Sequence, residues 1–207
     1  MLKSIRSKKS EKGFTLIELL VVAAIIGILL AIAIPNLIKA RMSANEANAR
    51  KAMQTLRDAE GEYFEQDLDD NQTRDYTDLM GTLGTPSTLR DPEGTSEEGD
   101  ALVDSSLECA TVGATGPDCL GSGNNCPNPK AGYCLQWDSV DVGVQNSGTS
   151  PSFQDFGWQA TMESFNKTGR RDYAVYGDGS IKCETSSVTT SGGQGVFDAD
   201  RTSPGCN

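Results

Sequence analysis

Hydrophobic and polar positions divide the chain into stretches of different texture. Twelve mostly polar residues come first. From Leu19 to Pro35 there is no polar side chain at all. Counted from Phe14 to Ile34 the apolar segment has 21 residues, about 31 Å as a helix, enough to cross a hydrocarbon core. Beyond Pro35 the pattern changes. Ala49, Met53, Leu56, Ala59 and Tyr63 recur at helical spacing, which predicts an amphipathic helix with one apolar stripe for packing against a head. Gly27 and Pro35 both weaken a straight helix, so Gly27 to Pro35 is a candidate site of bending.

Residues 65–130 read as loop, punctuated by Gly, Pro, Ser and acids in DPEGTSEEGD and GSGNNCPNP. One short helix is expected around Tyr76–Leu83. Strand signals return late, in GYCLQWDSV, FGWQATMESF and DYAVYGDGSIKC, with aromatic and β-branched residues in partial alternation. NKTG between the last two suggests a hairpin turn. Three or four antiparallel strands laid on the helix stripe would bury Tyr133, Leu135, Trp137, Trp158, Ala160, Met162, Tyr173, Val175 and Ile181 in part.

Charge sharpens this division. Lys3, Arg6, Lys8, Lys9 and Lys12 precede the apolar run against one acid, Glu11, and Lys39, Arg41, Arg50, Lys51 and Arg57 follow it. The basic leader should remain cytoplasmic while the long C-terminal part crosses. From Asp58 to the end there are 26 acids and 8 basic residues, a net of −18. A head of that sign repels phosphate, so direct nucleic-acid binding by it is not expected; solubility of an exposed surface is the ordinary meaning.

Glu18 does not fit a plain hydrophobic segment. A signal peptide would explain the basic start, the apolar stretch and the Ala31-Ile32-Ala33 cleavage pattern, and a single-pass anchor would explain the length. Neither needs an acid. A carboxylate within the apolar segment costs a few kcal/mol unless it is neutralised or paired. If the chain is cut between Gly13 and Phe14, the new N-terminus is a cation and Glu18 lies one helical turn along. Within one helix Glu18 points sideways, so the N-terminus of an adjacent copy is the better partner. Pairing of that kind fixes axial register between copies, which makes Glu18 an assembly residue.

The string KGFTLIELLVVAAIIGILLAIAIP resembles the leader and N-terminal helix of type IV pilins and of the related type II secretion pseudopilins. The matching elements are the short basic leader, Gly13 at the cut, Phe14 as new N-terminus, Glu18 and Pro35. The likeness is close over roughly residues 8–40 and looser through 64. It implies a leader peptide at 1–13, an N-terminal helix at 14–64 whose 14–35 part is transmembrane and then filament core, and a globular head at 65–207. The implied fold is α+β, a long helix packed on a C-terminal antiparallel sheet and stapled by disulfides. Also implied are cleavage and N-methylation by a prepilin peptidase, an inner-membrane assembly platform, residence in the inner membrane before assembly, and a homopolymeric surface filament afterwards. In filaments of this family the Gly27–Pro35 region can be bent or unwound.

Six cysteines and no histidine fit an oxidising compartment where disulfides supplement a thin core. Six cysteines allow fifteen connectivities. A C-terminal disulfide loop resembles pilins, which points to Cys183 with Cys206. Cys109, Cys119, Cys126 and Cys134 then pair among themselves, Cys109–Cys119 with Cys126–Cys134 being one of the arrangements left open. Each such loop contributes roughly 2–4 kcal/mol. Zinc is the alternative, but there is no histidine and no C-x-x-C spacing. QDLDDNQTRDYTD places Asp67, Asp69, Asn71, Thr73 and Asp78 at calcium-loop positions one, three, five, seven and twelve, although Gln72 replaces the expected glycine and the last position expects Glu. Asp198 and Asp200 are a second, weaker calcium candidate. No cofactor is otherwise indicated. No nucleophile–base pair is visible, so an enzyme ranks below a filament subunit and below a monomeric membrane-anchored adhesion protein. Among filaments, a surface pilus used for adhesion, twitching or uptake is preferred to a secretion pseudopilus.

Mass analysis of the mature N-terminus should find N-methylated Phe14. A terminus at Ile34 would establish the ordinary signal peptide instead.

Overall fold

A single helix, α1, runs from Leu16 to Gln66 in the computed structural model, which describes residues 13–66, 74–77, 83, 101–111, 126, 128–138, 144–146, 151–153, 155–186 and 197–206. The helix is continuous through Gly27 and Pro35. Proline has no N–H, so the Ala31 carbonyl one turn earlier lacks its usual donor there. By contacts the chain divides within α1, between Ala40 and Arg41. In the first unit every large apolar side chain from Phe14 to Ile38 is exposed.

In the second unit α1 buries Met42, Ala49, Met53, Leu56, Ala59, Glu60 and Tyr63. Steps of three and four put these residues on one stripe. All five positions of the expected stripe are among them. The stripe meets a four-stranded antiparallel sheet. Its strands are β1 (Tyr133–Trp137), β4 (Gly157–Met162), β5 (Arg171–Tyr176) and β6 (Ile181–Thr185), in the order β1-β4-β5-β6. Strands β2 (Val144–Asn146) and β3 (Pro151–Phe153) form a separate pair. Register puts Leu135, Ala160, Tyr173 and Cys183 in one row, and Trp137, Trp158, Val175 and Ile181 in the next. Those rows share one face, and that face joins the α1 stripe in one apolar cluster. Every expected core residue belongs to this cluster, with Trp137 and Ile181 at its partly buried margin.

The turn joining β4 to β5 carries NKTG, as expected. Asn166 takes a positive φ of 60°, a conformation asparagine tolerates. Gly169 lies so close under the Tyr133 ring that a Cβ would collide with it. Two bonds tie this turn back to α1: Asn45 Nδ2 donates to the Thr168 carbonyl at 2.9 Å, and the Arg170 amide donates to Glu46 Oε1 at 2.9 Å.

The stretch expected to be loop contains a helical turn, α2 (Ser105–Glu108). Asp104 caps it, its Oδ1 accepting the Ser106 amide at 2.7 Å, and Val103 and Leu107 are buried against the core. Four residues carry too little periodicity to announce a helix. The helix expected at Tyr76–Leu83 falls mostly outside the described residues.

Met53 is fully buried at the centre of the stripe. Met53→Ala should cost roughly 2–5 kcal/mol, read from chemical unfolding of the head, while Lys51→Ala on the exposed side of the helix should stay within about 0.5 kcal/mol.

Candidate functional site

The apolar end of α1 begins with a built local structure. Gly13 and Phe14 precede the helix, and Phe14 is 81% exposed. Thr15 sits at the N-cap and Glu18 three residues on. The Thr15 amide donates to Glu18 Oε2 at 2.9 Å, the Thr15 hydroxyl donates to the same oxygen at 2.6 Å, and the Glu18 amide donates to Thr15 Oγ1 at 3.3 Å. This is a capping box, in which each residue satisfies an amide that the first helical turn leaves without a carbonyl. Glu18 therefore has a local partner that hydropathy alone does not reveal. The spacing T-x-x-E ahead of an apolar run was the available signal.

Around it the surface is bare. Leu16, Ile17, Leu19, Leu20 and the large side chains onward to Ile38 are all between 43% and 79% exposed. A contiguous apolar surface of this extent marks contact with lipid or protein, and α1 is long and apolar enough to cross a membrane. Gly27 lies within it with nothing near the place a Cβ would occupy.

The head is held together by buried polar groups. Glu60 is fully buried on α1. Its Oε1 accepts the Trp158 indole N–H at 2.7 Å and its Oε2 accepts the Thr77 amide at 3.3 Å, so one carboxylate joins helix, sheet and the segment around Tyr76. Burial raises the Tyr76 hydroxyl's pKa, and Asp155, Glu60 and Glu65 add to the shift. On the opposite face of the sheet, Asp138 accepts the Tyr176 hydroxyl at 2.6 Å and Gln159 Nε2 at 3.3 Å. Residues 197–206 cover this face. Gln159 Nε2 donates to the Ala199 carbonyl at 2.9 Å, Arg201 pairs with Asp155, and its guanidinium lies 4.7 Å from the Tyr176 ring centroid.

Two of the expected disulfides are present, Cys183–Cys206 and Cys126–Cys134. Cys109 is also disulfide-bonded, and Cys119 lies outside the described residues. So do Asp67, Asp69, Asn71, Thr73 and Asp78. Asp200 turns back on its own loop, its Oδ1 accepting the amides of Thr202 and Ser203 at 2.8 and 2.9 Å. Among the described residues no three Cys, Asp or Glu side chains converge to hold a metal.

Residues 8–34 match the family model described as the prokaryotic N-terminal methylation motif. The type IV major pilin protein PilA of Myxococcus xanthus is 31% identical over 148 residues, which are 71% of this chain and 58% of that protein. The chain thus spans less than two thirds of that relative. The type IV major fimbrial protein FimA of Dichelobacter nodosus is 32% identical over 145 residues, covering 63% of this chain and 82% of FimA. The chain belongs to the type IV pilin family. The type IV wide pilus major component PilA4 of Thermus thermophilus is 63% identical to this pilin over 38 residues, 18% of the pilin and 29% of PilA4. No solved structure matches.

The pilin buries a second acid completely, Asp172 on β5. Its Oδ1 accepts the Thr161 hydroxyl at 2.8 Å and its Oδ2 accepts the Asp198 amide at 3.2 Å. Glu184 stands opposite it in register, and none of the described ion pairs includes it. Burial pushes its carboxyl up from 3.8 to about 7, and the Asp198 charge adds to the rise against the hydrogen bonds that oppose it. The folded state then binds a proton that the unfolded chain releases near pH 4, so stability is full below that pH and declines as pH rises to about 7. Asp172→Asn cannot ionise, and its amide can donate to Thr161 while its oxygen accepts from Asp198. The melting temperature of the variant should match wild type near pH 4 and exceed it increasingly up to pH 7. Parallel curves across that range would refute the assignment.

Proposed function

We propose that this pilin is the structural subunit of a surface type IV pilus, joined through α1 into a homopolymer that serves adhesion, twitching movement or uptake. The observation that carries this is the bare apolar surface from Phe14 to Ile38 with a single carboxylate, Glu18, at its start. A monomer in water would leave that surface uncovered, whereas lipid covers it before assembly and sister helices cover it afterwards. The methylation motif at 8–34 supports processing by a prepilin peptidase that cuts after Gly13 and methylates Phe14. The processed chain waits in the inner membrane, an assembly platform draws it out, and the head lies on the outside of the filament. Glu18 accepts the N-terminal ammonium of a neighbouring copy, and Gly27 to Pro35 is the compliant part of the helix. The role is structural, not catalytic.

A secretion pseudopilin would share the helix and the late strands. The pilus is favoured because M. xanthus PilA and D. nodosus FimA are named as a major pilin and a major fimbrial protein. The net −18 after Arg57 and the disulfides also suit prolonged exposure outside the cell.

Sheared surface filaments should contain this chain as a main protein. Glu18→Ala should lower filament yield about tenfold or more while the processed chain stays in the membrane with a folded head. Equal filament yield would remove the assembly role, and deletion that halts protein secretion with pili intact would promote the pseudopilin.

A further inference from the structure

The two oxygens of Glu18 are used differently. Oε2 accepts two bonds, from the amide and the hydroxyl of Thr15. Among the described residues Oε1 accepts none. Glu18 lines an apolar hollow of about 350 Å³ together with Phe14, Ile17, Val21 and Val22. All of the donors come from Thr15 itself, so cleavage after Gly13 leaves them in place.

We propose that Thr15 is the positioning residue for Glu18, holding Oε2 on the helix so that Oε1 alone is presented to a cation from a second copy of this chain. The inference rests on the filament reading above and specifies how its contact is prepared. A free glutamate has three side-chain torsions to fix when it meets a partner, at an entropic cost. Here the Thr15 bonds fix them beforehand, and pre-organisation of this kind strengthens association without adding a contact. The same box serves the period in the membrane. The Glu18 amide has no carbonyl in the first helical turn, and hydrocarbon offers no water to replace one. Thr15 Oγ1 accepts it. One hydroxyl therefore donates to the carboxylate and accepts from the amide of the same residue.

Thr15→Val keeps the side-chain shape and removes the hydroxyl. Thr15→Ser keeps the hydroxyl. The full chain is expressed in cells that assemble filaments, the processed membrane pool is measured by N-terminal mass, and filament yield is taken per processed subunit. Thr15→Val should lower that yield by roughly fivefold or more, and Thr15→Ser should restore it. Amide hydrogen exchange on the purified full chain in detergent micelles gives a readout independent of processing. The Glu18 amide should be protected in wild type and Thr15→Ser and exchange faster in Thr15→Val. Wild-type yield from Thr15→Val, or unchanged Glu18 exchange in it, overturns the proposal. Normal filaments from Glu18→Ala would instead remove the filament reading beneath it, so the two failures are separable.

Discussion

One backbone ladder must serve two solvents. From Leu19 to Pro35 the helix is apolar on every side, and from Met42 to Tyr63 it is apolar along one stripe only. A helix satisfies its own amides in hydrocarbon and in water alike, so the change of environment costs the backbone little and falls on the side chains. The basic residues Lys39 and Arg41 follow the last exposed apolar side chain. From Met42 onward the stripe supplies the surface on which the sheet is built. Remove the helix and the inner face of the sheet, with Trp158, Met162 and Tyr173, loses the apolar stripe it packs on.

The head solves a different problem. Its apolar core is modest, and the sheet is buried on both faces: every residue of β4 is buried, and all of β5 but Arg171. The inner face is closed by hydrophobic packing. The outer face carries Thr161, Asp172 and Gln159, and each needs a polar partner once water is excluded. Thr161 finds its partner in Asp172, residues 197–206 supply backbone partners to Asp172 and Gln159, and the Cys183–Cys206 bridge holds that segment at the site. Glu60 plays the corresponding part inside, where a helix carboxylate receives the indole of Trp158. Connection by directed bonds suits a small domain in which buried area alone leaves little margin.

Much of this was legible in the sequence, for physical reasons. The apolar run, the helix stripe and the strand alternation all come from periodicity, and periodicity survives without tertiary context. The strands' inner residues were therefore named correctly, as was the NKTG turn. The outer face was not. Gln159, Thr161 and Asp172 alternate with apolar neighbours and so look like a solvated side, yet they are covered by a segment with no period of its own. Glu60 sits four residues after Leu56 and looks like the polar margin of the stripe. Only the position of the Trp158 indole reveals its role. Thr15 is the contrary case, because T-x-x-E is a readable capping signal that the length of the apolar run overshadowed.

Both outer strands of the sheet have a neighbour along part of their length. Along β6, the Cys183 amide donates to the Pro204 carbonyl and the Cys206 amide to the Ile181 carbonyl, at 2.9 and 3.0 Å, so residues 204–206 lie where another strand would add. Along β1, the Leu135 amide donates to the Ala110 carbonyl at 2.8 Å, and Thr111 bridges the same strand in parallel. Unpaired strand edges are templates for edge-to-edge aggregation. In a polymer the heads stand at a local concentration no solution reaches, for as long as the fibre lasts. Capped flanks let such heads crowd together without knitting into a cross-strand aggregate, and the cysteine bridge at the end of the chain keeps one of those caps from peeling away.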